Sequence, residues 1–374
     1  MSRDKYTKQA KRWVIKIGSA LLTKDGKGLD YAAIEDWTHQ IAQLRQNGIE
    51  IILVSSGSVA EGMSRMGWQT RPTELAKLQA AAAIGQTGLI EAYETQFKKH
   101  RIQAAQILLT HDDISNRKRY LNARNTLRTL LDLNALPIIN ENDTVALEEM
   151  RLGDNDTLAA LVANLVEADL LVILTDQEGL FDKDPRHHDD AKLISEESAN
   201  NAELQKYVGD ISTALGSGGM ATKLTAAQRA ARSGCATIIA SGRENNVLQR
   251  LSTGESIGTL LVPDKTGIGA RKQWIVAQVQ ASGALYLDAG ASRAIIEQGK
   301  SLLPVGVTAS EGDFKRGDIV DCKSTEGVVI ARGLINYSSD EVSQLHKTAS
   351  HDISDLLGYS GEAELIHRDN LVLI

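Results

Sequence analysis

Two lysines stand out by the residues around them. Lys16 lies in Val14-Ile15-Lys16-Ile17-Gly18-Ser19, an apolar run that ends in a Gly-Ser turn. Lys223 closes Gly216-Ser217-Gly218-Gly219-Met220-Ala221-Thr222-Lys223 and opens a helix-like segment, Leu224 to Arg232. Backbone without bulky side chains can approach a phosphate chain, and a helix N-terminus aims free N–H groups and a partial positive charge at it. A lysine adds a full charge. A single Gly-rich loop with a lysine also describes an ordinary solvated turn. Two lysines on two Gly-containing turns point to a polyanion, most economically a nucleoside triphosphate.

Carboxylates and amides supply the second half of the pattern. Gly153-Asp154-Asn155-Asp156 opens a helix, where Asp or Asn serves as a cap without further function. Asp154, Asn155 and Asp156 together exceed what a cap needs. A carboxylate there could hold two ammonium groups, or bind Mg2+ through water. Asn140-Glu141-Asn142-Asp143 follows an apolar run, a dense polar group that also reads as a turn. Thr175-Asp176 and Ser55-Ser56-Gly57-Ser58 close two more such runs.

Familiar nucleotide fingerprints do not hold. Gly57 to Ser64 nearly matches a P-loop, but Met63 stands where that loop needs lysine. Gly216, Gly218 and Ala221 fit the dinucleotide spacing, yet no clear strand leads into Gly216 and no acidic residue ends the next one. His187-His188 sits in a charged hairpin-like segment, Asp182 to Asp190, and reads as a solvated loop; no protein metal site is assigned. The run Ala80 to Ala83 reads as close helix packing.

The elements that must position these groups alternate. Strands are expected at Trp13–Ile17, Ile51–Val54, Ala105–Thr110, Leu136–Ile139, Asp169–Leu174 and Ala236–Ala240. Helices are expected at Tyr31–Gln46 (capped by Asp30), after Ser58, from about Thr73 to Lys98, from a Ser115 cap to about Leu133, and to about Glu167. Continuous apolar strands alternating with helices mean an α/β domain with a mainly parallel sheet sandwiched by helices. Ligands in such sheets sit at the carboxyl ends of the strands, and the polar clusters at Lys16, Ser56, Asn140 and Thr175 all fall there.

After Pro263 the pattern changes. Residues 264–280 read as a linker and 281–359 as a small β-rich domain, with strands at Ala284–Leu287, Leu303–Val307, Asp318–Cys322 and Val328–Ala331 and a helix at Ser292–Gln298. Residues 1–11 read as an N-terminal extension, 12–263 as the main domain and 360–374 as a tail. Cys235 and Cys322 are far apart and lack metal-like spacing, so they read as reduced core residues. Residues 1–11 are polar, with no apolar signal core, and no apolar run is long enough to cross a membrane, so a cytoplasmic protein is expected. A net charge of −7 disfavours a general nucleic-acid or membrane-surface binder.

With these motifs assembled, the chain resembles the amino acid kinase superfamily, and within it the glutamate-phosphorylating branch that carries a C-terminal PUA domain. The resemblance covers nearly the whole chain. Its carriers are Val14–Ser19, Val54–Gly62, Ile139–Asp143, Gly153–Asp156 and Ser217–Lys223, in that order. Ser19 and Ser217 depart from an expected Thr but keep the hydroxyl, and the segment before Arg12 is expected to match nothing and to be dispensable. The resemblance implies transfer of the ATP γ-phosphoryl to the side-chain carboxylate of L-glutamate, with Mg2+, on the route to proline. It implies that Lys16 and Lys223 contact the phosphates and that Asp156 orients both. Ser56, Gly57, Asn140, Asp143, Asp154 and Asn155 are then expected around glutamate. Lys16, Gly18, Ser19, Thr175, Asp176, Ser217, Gly218, Gly219, Met220, Ala221, Thr222 and Lys223 are expected at the nucleotide. Proline as feedback inhibitor and a homo-oligomer are further implications. A sister kinase for another acidic substrate, or an RNA-binding or regulatory protein on a kinase-like fold, are the alternatives. Against RNA, residues 281–374 hold 8 Lys and Arg against 14 Asp and Glu, a formal charge of −6.

Overall fold

The computed structural model describes residues 2–24, 27–115, 117–145, 155–208, 219–264 and 281–374. Two compact units emerge, residues 1–115 with 122–267 and residues 116–121 with 268–374. In the larger, the strands are β1 Arg12–Ile17, β2 Glu50–Val54, β3 Ala104–Leu109, β4 Leu136–Glu141, β5 Leu170–Thr175, β6 Glu196–Ser198, β7 Ala236–Ser241 and β8 Thr259–Val262. They form one eight-stranded sheet in the order β3-β4-β2-β1-β5-β7-β8-β6. All pairings from β3 to β7 are parallel; β8 runs antiparallel to β7 and parallel to β6. The helices are α1 Ser2–Thr7, α2 Ser19–Leu22, α3 Tyr31–Gln46, α4 Ser58–Arg65, α5 Leu75–Lys99, α6 His111–Ser115, α7 Arg117–Asp132, α8 Asn155–Val166, α9 Leu204–Val208, α10 Met220–Ala231 and α11 Val247–Ser252.

β1 is central, and its alternation decides where chemistry happens. Trp13, Ile15 and Ile17 join one core with Trp37 and Ile41 of α3 and Tyr93 and Phe97 of α5. Successive side chains of a strand point to opposite faces, so Val14 and Lys16 face the other side. There α8 packs against β1 and β5, and α10 packs against α8. Ala159, Ala160 and Ala163 of α8 and Ala226, Ala227 and Ala230 of α10 are buried. Such short side chains let two helices approach closely.

Several expectations are corrected. β4 continues through Asn140 and Glu141, because both backbones stay in register with Leu108 and Leu109 of β3. Ser115 ends the short α6 rather than capping the next helix. The helix after the Gly-rich loop begins at Met220, four residues early, with extended Gly219 at its N-cap. The edge strand β6 and its neighbour β8 were not foreseen. Within the expected N-terminal extension, residues 2–11 carry α1, which is seated on the unit with Thr7 and Ala10 buried.

The smaller unit has strands β9 Gly283–Leu287, β10 Val307–Gly312, β11 Ile319–Lys323, β12 Val329–Leu334 and β13 Leu371–Leu373. They make a five-stranded sheet, order β10-β9-β11-β12-β13. Leu303–Val307 is not a strand: Pro304 to Gly306 makes a single 3-10 turn, since proline lacks the N–H a ladder needs. The supposed tail from residue 360 belongs to this unit, with Leu365, Ile366 and Leu371 in its core. A helix at Ser339–Leu345 was missed, although Ser338 and Glu341 form a full capping box.

Of the run Ala80–Ala83, Ala81 and Ala82 are buried while Ala80 and Ala83 are exposed. α4 and α5 touch at glycines: a Cβ at Gly85 would fall 1.8 Å from Ser58 O, and one at Gly62 would fall 1.8 Å from Ala81 O. Backbone cannot yield as a side-chain tip can, so Gly85→Ala must push α4 away from α5. We expect it to cost about 1–3 kcal/mol or more. Exposed Thr87→Ala should stay within about 0.5 kcal/mol. Urea denaturation midpoints of the two variants check this, and equal midpoints would refute the close contact.

Candidate active site

The strand-end clusters converge beside β1. Lys16 sits on the face turned to α8, so its Nζ reaches the first turn of that helix and lies 2.6 Å from Asp156 Oδ1. Lys223, in the first turn of α10, places its Nζ 3.0 Å from Asp156 Oδ2. Thr222 Oγ1 donates to the same Oδ2 at 3.0 Å. The three charges are nearly water-free: Asp156 is 0% exposed, Lys223 4% and Lys16 6%. Burial alone pushes the Asp156 carboxyl up. The Lys16 and Lys223 ammoniums outweigh it and bring its pKa down to about 2. Asp156 is therefore an anion at neutral pH, shared by two cations.

A polar chain continues to one side. Asn155 Nδ2 donates to Ser55 O at 2.5 Å, Asn140 Oδ1 at 2.8 Å and Ser56 Oγ at 3.1 Å. Asn140 Nδ2 in turn donates to Gln86 Oε1 at 2.7 Å. Ser58 Oγ donates to Asp143 Oδ2 at 3.1 Å, in the turn after β4. Gly57 has φ +98°, the left-handed region, which lets the chain turn from β2 into α4 with the N–H groups of that helix's first turn leading. Gln86 was missed by sequence reasoning. Its signal was faint: it is the polar residue within the apolar Ala80–Gly85 surroundings of α5.

On the other side, Gly18 N donates to Leu174 O at 3.2 Å, and a Cβ at Gly18 would fall 3.3 Å from that carbonyl. Ser19 is exposed at the start of α2. Thr175 Oγ1 donates to Asp176 Oδ1 at 3.1 Å, at the end of β5. Gly219 has open space where a Cβ would be, ahead of Met220, Ala221 and Thr222. Asp154, Ser217 and Gly218 lie outside the described residues, so their expected roles have no geometry here. Met63, the residue that spoils the P-loop match, is buried.

Both Asp156 oxygens are committed to ammonium groups, so a divalent cation would have to displace a lysine to bind this carboxylate directly. Among the described residues no group of three His, Cys, Asp or Glu is placed to hold a metal. No helix among the described residues is long and apolar enough to cross a membrane.

Comparison with known proteins finds relatives for both parts of the chain. Residues 11–241 match the amino acid kinase family, and residues 283–357 match the PUA domain. The chain is 62% identical over 366 residues to a glutamate 5-kinase of Thioalkalivibrio sulfidiphilus, covering 98% of each chain. It is 59% identical over 367 residues to one of Nitrosococcus oceani, again covering 98% of each. A third, from Chromohalobacter salexigens, is 58% identical over 373 residues, 100% of this chain and 98% of the relative. That span takes in the segment before Arg12, which was expected to match nothing.

The lysine pair gives Asp156 a pH signature. Its folded pKa of about 2 lies below the ordinary 3.8, so the stability it adds is present above about pH 4 and lost as pH falls towards 2. The shift corresponds to a contribution on the order of 2 kcal/mol. Asp156→Asn should be less stable than wild type at neutral pH and should lack this step between about pH 4 and 2. Denaturant midpoints from neutral to acid pH would show it. Parallel acid slopes in the two proteins would mean the lysines do not hold Asp156 ionised.

Proposed function

The chain belongs to the amino acid kinase family, among the glutamate 5-kinases, and on that footing we propose that it transfers the γ-phosphoryl of ATP to the side-chain carboxylate of L-glutamate. The product is L-glutamyl 5-phosphate, and the step opens proline biosynthesis. The observation that carries the reading is the buried Lys16–Asp156–Lys223 group, with 2.6 and 3.0 Å contacts, at the carboxyl end of β1.

The chemistry asks little of acids and bases. The attacking carboxylate is already ionised at pH 7, so no proton has to leave it. An oxygen–phosphorus bond forms at the γ-phosphorus while the bond to the β-phosphate oxygen breaks and ADP departs. The difficulty is bringing one anion up to another. Two lysines and one aspartate leave a net single positive charge in a water-poor site, where it acts strongly. Asp156 keeps both ammoniums in place, so they need not reorganise during transfer. Mg2+, carried by the nucleotide, supplies further neutralisation of its phosphate oxygens. On one side of β1, Ser56, Gly57, Asn140, Asp143 and Asn155 receive glutamate, with the Asp143 carboxylate suited to the α-ammonium. On the other, Gly18, Ser19, Thr175, Asp176 and Gly219 to Lys223 receive ATP. Proline carries the same ammonium and carboxylate as glutamate, so we place its inhibition in the same subsite. The two cysteines, Cys235 and Cys322, are free and buried, which suits a cytoplasmic enzyme.

We infer no RNA-binding role for the smaller unit, from the formal charge of −6 on residues 281–374 and from three of its ion pairs. Arg316 pairs with Glu362 at 3.3 Å, Arg332 with Asp321 at 2.7 Å and Lys323 with Glu311 at 2.5 Å. Basic groups so committed offer little to a phosphate backbone.

Glutamate-dependent ADP release, run beside aspartate, acetylglutamate and carbamate, tests the assignment; release with another of these and none with glutamate would sink it. Lys223→Ala should lower kcat roughly 10²–10³-fold, with a smaller effect on the glutamate KM. Near-normal kcat with only a raised glutamate KM would misplace the residue. Asp143→Ala should instead raise the glutamate KM and weaken proline inhibition more than it alters the ATP KM. Unchanged glutamate saturation in the folded variant would remove Asp143 from the subsite.

A further inference from the structure

Helix α1 carries an arginine that the fold has taken inside. Arg3 is 9% exposed. Its Nη1 donates to Ser256 Oγ at 3.1 Å and to Ser195 O at 3.4 Å, and its Nη2 donates to Ile257 O. Burial lowers the guanidinium pKa, and nearby Glu196 opposes that. A helix of six residues is too short to hold itself in water, so α1 depends on its seat. The seat is fitted: Gly254 has φ +86°, and a Cβ there would fall 2.4 Å from Asp4 Oδ1 and 2.7 Å from Lys8 Cε.

The segments that Arg3 grips lead to the nucleotide side of the site. Ser195 O also accepts from Leu260 N at 2.9 Å, and Ile194 N donates to Leu180 O at 2.8 Å. Leu180 N donates to Thr259 Oγ1 at 2.8 Å. Gly258, next to Ile257, lies so close to β7 that a Cβ would fall 2.2 Å from Ile239 O. Both routes end at one place. The loop holding Leu180 begins at Thr175-Asp176, and β7 ends at Ser241, in register with Thr175. Thr175 O accepts from Gly242 N at 2.8 Å. Asn140, Asp143 and Asn155 belong to β4, the turn after it and α8, away from these segments.

We propose that Arg3 is a positioning residue for the nucleotide subsite: by binding Ser195, Ser256 and Ile257 to one guanidinium, it fixes the wall on which Thr175 and Asp176 stand. This rests on the ATP assignment above. Loss of Arg3 loosens ATP binding and leaves glutamate binding alone.

The test compares full-length wild type, R3M, R3K and K8A, the last removing the exposed pair with Asp4 and the Lys8 stem beside Gly254 while keeping Arg3. R3M should raise the ATP KM about three- to tenfold, the size of a lost buried hydrogen bond or two, with kcat and the glutamate KM held within about twofold. R3K, which keeps the charge but not the fork, should fall between, and K8A should match wild type. Hydrogen exchange in R3M should quicken at residues 179–195 and 256–260, and ATP should raise its thermal midpoint less than it raises that of wild type. Equal changes in both KM values, or a lower midpoint with neither KM altered, would overturn the proposal. If R3M does not fold, R3K decides by the same criteria. If wild type shows no glutamate-dependent ADP release, the reaction assignment fails alone. The ATP-induced midpoint shifts of wild type and R3M then decide this proposal, and equal shifts overturn it.

Discussion

Two ammonium groups and one carboxylate share a pocket almost closed to water, and the larger unit is arranged around that fact. Desolvating an ion costs several kcal/mol even after relaxation, so buried charges persist only when paired and hydrogen-bonded. Asp156 meets the condition with one oxygen for Lys16, the other for Lys223, and the Thr222 hydroxyl besides. None of the three charges has a low-energy place there without the others. The group therefore depends on three elements at once: the facing of β1, the first turn of α8 and the first turn of α10.

Those elements are held by contacts that are mostly apolar and small. Alanines on α8 and α10 bring the two helices close. Asn164 Nδ2 donates to Arg229 O at 3.0 Å and fixes their far ends. Glycines do the same for α4 and α5, where an added methyl has only backbone to meet. α5 then delivers Gln86 to Asn140, so a helix outside the charged group steadies the amide pair beside it. A site built on packed strands and helices holds its geometry better than one carried by loops alone.

The reaction explains what is not in the site. An anionic nucleophile needs no base, and a phosphoryl group in flight needs charge more than covalent help. A net positive group, fixed in advance, meets that need without a histidine. The smaller unit follows a different logic. Arg316, Lys323 and Arg332 are each paired with an acid, and acidic residues outnumber basic ones across residues 281–374.

What the sequence determined by itself was local. Continuous apolar runs announced parallel strands, and polar clusters after them marked the carboxyl edge where ligands bind. Lys16 was legible in an apolar run that ends in a Gly-Ser turn, and Asp156 and Lys223 at a polar and a Gly-rich helix start. The motif order carried the family. Only the tertiary structure decided which oxygen serves which lysine, because that follows from strand facing and helix approach. It alone brought Gln86 to Asn140, 54 residues away, and Arg3 to Ile257, 254 residues away. Composition offers no sign that a polar side chain on a short N-terminal helix will be buried. β13 was hidden similarly: a strand of three residues is too short to show a period, and it exists only because β12 supplies its partners. Local pattern fixes what a segment can be, and burial against distant chain fixes which of its side chains act.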